Sequence, residues 1–167
     1  MKNEAFSRVM TAVGLALALI AGTAACGTSG AEAERQSEVA ERSRKVMPFD
    51  LERTTHHFTK SADGGVETVV ADDPADQNQI RLIREHLTKE FSRFRQGDWG
   101  DPARIHGTTM PGIQALSQGY TRIRMTYQNV QAGARIVFST SDPAMVKALH
   151  AWFDAQVSDH GNHAQPK

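Results

Sequence analysis

The sequence predicts an α+β domain built as ββα–ββα: a four-stranded, mostly antiparallel sheet with two helices packed on one face. Three observations carry that expectation. Two strand-like pairs each enclose a turn, at Asp63-Gly64-Gly65 and near Gln131-Ala132-Gly133. Each pair is followed by an Asp-Pro step, Asp73-Pro74 and Asp142-Pro143. Such a step sets a capping carboxylate before a proline whose missing N–H costs nothing in a first helical turn. Each step then opens a stripe of apolar residues spaced three and four apart. Ile80, Ile83, Leu87, Phe91 and Phe94 form one stripe; Val146, Leu149, Phe153 and Val157 form the other.

The elements follow in order. Arg53 to Lys60 and Val66 to Ala71 are rich in Thr, Val and Phe and read as the first strand pair. His56 and His57 are adjacent there, so they point to opposite faces; if Phe58 faces the core, His56 shares its side and His57 meets water. In the first helix Arg81, Arg84, Glu85, Lys89 and Glu90 fall mainly off the apolar stripe, and His86 at its edge is expected half-exposed. Gly97 is the stop signal. Ile113 to Ser117 reads as a single helical turn ended by Gly119. Tyr120 to Gln128 alternates as a strand, Ala134 to Thr140 returns beside it, and the last helix fades at Ser158.

At 167 residues the chain has room for one ordinary domain and an N-terminal extra. Lys2 and Arg8 precede an uncharged run, Met10 to Ala25, with the length and small-residue flank of a secretory signal peptide at 1–25. Thr23-Ala24-Ala25-Cys26 resembles the lipobox of bacterial lipoproteins, with Thr23 where leucine is usual. That resemblance implies acylation of Cys26 (palmitate) and attachment to the outer face of the cell membrane. Cys26 is the only cysteine, so this use leaves none for a disulfide, a thiol nucleophile or a thiolate metal site. Residues 26–46 read as a flexible tether, 47–160 as the domain and 161–167 as a disordered tail. Without residues 1–25 the chain keeps 17 basic and 18 acidic side chains, a balance that gives no general attraction for nucleic acid.

The segment from Gly97 to Gly112 holds the densest chemistry. His106-x-x-x-Met110 is an imidazole–thioether pair, a donor set that suits copper, or zinc if histidine alone ligates. His86 and His150 lie on the two helices and are expected to approach it. Trp99, Trp152 and Gln156 are expected to line a ligand pocket. The blander reading has Trp99, Ile105 and Met110 plugging the edge of the core. No G-x-S-x-G elbow, P-loop or dinucleotide fingerprint is present. The expectation is therefore an exported lipoprotein that binds a ligand, copper first, without turnover. A structural or partner-binding envelope protein is the alternative.

The stretches MPFDLERTTHHF (47–58), IHGTTMPG (105–112) and LHAWFDAQVSDHG (149–161) are similar to those of a family of small exported bacterial proteins. Some members of that family carry the label aspartate carbamoyltransferase. The label implies a Ser-Thr-Arg-Thr phosphate loop and two larger domains, which this sequence lacks, so no residue here receives that activity.

Overall fold

The structure, a computed structural model, describes residues 25–167. The expected signal peptide, apart from Ala25, lies outside the described residues. The domain is α+β, with one mixed five-stranded sheet in the order β3-β4-β2-β1-β5. The hairpin β1 (Thr54–Ser61) and β2 (Gly64–Ala71) pairs antiparallel from Thr54 opposite Ala71 to Ser61 opposite Gly64. The hairpin β3 (Arg124–Val130) and β4 (Gly133–Ser139) joins it through an antiparallel β2–β4 ladder.

Two differences from expectation concern the ends of the chain. Residues 164–166 form a fifth strand, β5 (Ala164–Pro166), parallel to β1 with Ala164 opposite His56, where a disordered tail was expected. Three residues are too few to show a period, and their order comes from backbone pairing, extended by the Lys167 amide donating to the Phe58 carbonyl. Residues expected as a tether form a helix, α1 (Ala25–Ser43). Among residues 29–43 of α1, Val39 and Ser43 alone are fully buried, so this part carries no apolar stripe to betray it. Polar contacts hold it instead: Arg35 Nε donates to Asp159 at 2.9 Å and Gln36 Nε2 to the Ser158 carbonyl at 2.9 Å.

The two long helices stand where expected. α2 (Gln77–Phe94) is capped by Asp76, whose Oδ1 accepts from the Gln79 amide, and not by the expected Asp73; the Asp73-Pro74 step instead forms the turn before the helix, where Asp73 accepts from the Ala75 amide. Two short helices occupy the region expected as loop and single turn, α3 (Gly100–His106) and α4 (Ile113–Gly119). α5 (Pro143–His160) is capped by Asp142 and runs two residues past Ser158. Gly112 sits at φ 80°, and a Cβ there would lie 2.2 Å from the Ala148 carbonyl oxygen, so glycine lets the start of α4 approach α5.

Alternation assigns the two faces of the sheet. Thr54, His56, Phe58, Val69, Ala134, Ile136 and Phe138 are buried on the helix side. His57 lies half-buried on the other face beside Thr55, Thr59, Val66 and Val70, as its place next to His56 requires. Trp152 of α5 is fully buried at the centre, edge-on to Trp99 at 5.0 Å, Phe138 at 5.7 Å and Phe94 at 6.0 Å.

Candidate functional site

Beside Trp152 the core turns polar around a small cavity of about 30 Å³, enough for one or two water-sized occupants. Strand alternation delivers His56 from β1 and Glu67 from β2, both on the helix-covered face. α2 contributes His86 and Glu90, four residues apart on its inner side. α3 brings Asp101 and His106, α5 brings Trp152 and Gln156, and Met47 closes one side from the segment after α1.

Six polar atoms on these lining residues are buried without a hydrogen-bond partner: both Glu90 carboxyl oxygens, Asp101 Oδ1, Gln156 Oε1, His56 Nδ1 and Trp152 Nε1. A buried polar atom without a partner costs about 1–3 kcal/mol, so a cluster of them is unusual architecture. Asp101 differs in that its charge is paired: Oδ2 accepts from Arg93 and Lys89, and Arg104 lies against Oδ1 as an ion pair. Arg93 Nη1 also lies 3.7 Å from Glu90 Oε1, beyond hydrogen-bonding reach.

Burial sets the protonation states. It lowers His56 to about 3, with nearby His86 adding to the effect, and lowers His86 to about 4, helped by Lys89 and Arg93. Both imidazoles are therefore neutral at physiological pH. The carboxyls move the other way. Burial raises Glu67 to about 7 and Glu90 to about 7; Arg93 opposes the shift at Glu90, and the Glu67 charge adds to it. The chamber thus holds two acids poised to ionise near neutrality among imidazoles already uncharged.

His106 forms one wall and is held from behind. Its Nδ1–H donates to Asp159 Oδ2 at 2.8 Å, and Arg35 Nη2 donates to its carbonyl at 2.8 Å. Burial pushes the Asp159 carboxyl up, but hydrogen bonds from His106 and Arg35 overcome this and hold it well below the usual carboxylate range. Burial lowers His106 despite that carboxylate. His160 packs edge-on against His106 at 4.9 Å and stacks on His56 at 5.3 Å, joining three imidazoles in a row.

Of the residues singled out in the sequence, His86, His106, Trp152 and Gln156 do meet on this chamber. The others lie elsewhere. Met110 is buried among apolar side chains and, with Trp99, lines an open groove of about 980 Å³ between α3 and α4. Gly107, at φ 93°, turns the chain between His106 and Met110, which is why the two do not share a site. His150 is nearly three turns before His160 on α5, and its Nε2–H donates to the carbonyls of Ser61 and Gly64 at 3.0 and 2.9 Å. The expected copper set of His106, Met110, His86 and His150 is therefore not assembled. Among the described residues no three His, Cys, Asp or Glu side chains come together to hold a metal ion.

His56, Glu67 and Glu90 were not singled out as site residues, yet each left a trace in the sequence. Glu90, expected off the apolar stripe, is buried within it: it lies three residues after Leu87 and four before Phe94. Glu67 shares a strand face with Val69, two residues on. A carboxylate at a core position is the signal. No family model, curated protein or solved structure matches the chain.

Proposed function

We propose that this protein is a membrane-anchored envelope lipoprotein whose domain binds a water-sized, hydrogen-bond-donating cation, an ammonium ion or the head of a primary amine, in the histidine–carboxylate chamber. One observation carries the reading: both oxygens of Glu90 are buried on a cavity wall with nothing to accept from. The composition of the wall supplies the sign of the charge. Acceptors predominate, the Glu67 and Glu90 carboxyls can ionise, the His56 and His86 imidazoles are neutral, and among the described residues no lysine or arginine lines the cavity. A cation arriving there would displace a proton from Glu67 or Glu90 and satisfy the Glu90 and Gln156 oxygens together. Donated hydrogen bonds suit the arrangement better than direct metal ligation, because the side chains do not converge as a metal set.

Titration of the intact protein with ammonium, methylammonium, potassium, zinc and copper at pH 7.5 tests this, read by proton release and by the Trp152 indole N–H resonance. Ammonium is expected to bind with release of protons, and potassium, which donates no hydrogen bond, at least tenfold more weakly. Because the cation competes with protons on groups near 7, affinity should climb as pH rises to about 7 and level off above it. Absence of proton release with any of these ions, or equal binding by Glu90→Gln, overturns the proposal.

Anchoring is tested separately. Cys26→Ser is expected to move the protein out of the membrane fraction or leave it unprocessed. Wild-type protein found in the cytoplasm with Met1 retained would end the lipoprotein reading. Among the described residues no helix is long and apolar enough to cross a membrane.

A further inference from the structure

We infer that α1 is the gate of the chamber, held shut by Arg35 acting as a positioning residue; the inference rests on the chamber being a binding site. Arg35 reaches from α1 to two places at once, the Asp159 carboxylate on α5 and the His106 carbonyl at the end of α3. Asp159 in turn holds the His106 ring, which is part of the chamber wall. The same helix leads into Met47, whose amide donates to the Ser43 carbonyl at 2.8 Å and whose side chain lines the cavity. Lifting α1 therefore loosens His106 and Met47 together, on one side of the chamber, and leaves the sheet untouched.

α1 is also lightly held for a helix of its length. Among residues 29–43 its buried apolar side chain is Val39, and the ties that reach α5 and the end of α3 include Arg35 and Gln36, which are polar and part-exposed. Segments with few buried apolar contacts open first. The sequence adds a reason for the opening to matter: Cys26, the expected acylation site, stands in the first turn of α1. The anchor joins the protein through the gate helix itself, with no spacer between them, so α1 is the element on which events at the membrane surface act.

The test uses the anchored full-length protein in vesicles. Hydrogen exchange is read over residues 29–43, and a histidine-acylating reagent is read at His56 and His86, with His57 on the open face of the sheet as internal control. Arg35→Ala removes a charge-assisted pair of hydrogen bonds and is expected to speed exchange in α1 roughly tenfold. Acylation of His56 and His86 should rise by the same factor while that of His57 stays constant. Val39→Ala, which loosens α1 through an unrelated contact, should reproduce both effects and serves if Arg35→Ala also exposes the sheet amides. Faster exchange in α1 with His56 and His86 still protected overturns the gate. So does an α1 that is already unprotected in the wild type. Neither readout uses a cation, so a gate that behaves as described in a protein that binds no ammonium defeats only the ligand reading.

Discussion

Trp152→Ala is expected to lower the unfolding free energy by about 3–5 kcal/mol, as truncation of a fully buried indole does when its surroundings cannot close. The ring is fully buried, and its neighbours come from three other elements and one connection: Phe58 on β1, Phe94 on α2, Phe138 on β4, and Trp99 in the segment before α3. Those neighbours are themselves packed, Phe94 and Trp99 stacking at 4.2 Å, so the void would not collapse. Trp152→Phe is the informative companion. It retains a ring and deletes an indole N–H that has no partner, so its cost should be under about 1.5 kcal/mol. Urea unfolding at pH 7 measures both. A loss below about 2 kcal/mol for the alanine variant would mean that the aromatic cluster is not the centre of the core.

What the sequence made legible follows from how strongly each element is patterned. The β1–β2 hairpin could be read because an Asp-Gly-Gly turn separates two Thr- and Val-rich runs, and α5 because Asp142-Pro143 caps it. The opposite facing of His56 and His57 required only the period of a strand. α1 and β5 could not be read, because neither is specified by its own residues. Over residues 29–43 α1 has a single buried apolar side chain and depends on Asp159, 124 positions from Arg35; β5 depends on the free edge of β1. The fifth strand and the extra helices are tertiary products of a local sequence that is nearly mute. The site was half visible. His86, His106, Trp152 and Gln156 stand out as residue types, but the carboxylates that give the chamber its character sit at positions where the helix and strand periods call for apolar side chains.

Glu90 is the residue on which that reading is most exposed. Glu90→Met keeps the volume of the side chain and removes two buried oxygens that accept nothing, so the variant is expected to be more stable than the wild type by about 1–3 kcal/mol at pH 8. The gain should depend on pH in a stated direction. In the folded wild type burial raises the Glu90 carboxyl to about 7, above its ordinary value of 4.5. Below 4.5 the carboxyl is protonated in both folded and unfolded chains and contributes no difference. Between 4.5 and about 7 the unfolded chain gives up its proton first, so wild-type stability falls as pH rises, and it levels off above about 7. The advantage of the methionine variant is therefore smallest near pH 4 and complete by pH 8. His56 and His86 act in the opposite sense, their contribution being lost as pH falls from 6.5 through about 4 and 3. They are present in both proteins, so their part largely cancels in the difference. Unfolding of the two proteins at pH 4, 6 and 8, beside ammonium titration at pH 7.5, gives the full comparison. Greater stability with lost binding is the expected result, since a site kept ready for a ligand is strained without one. A methionine variant less stable than wild type at pH 8 would mean that the carboxylate is an ordinary structural group with a partner of its own, and the chamber would lose its claim to be a site.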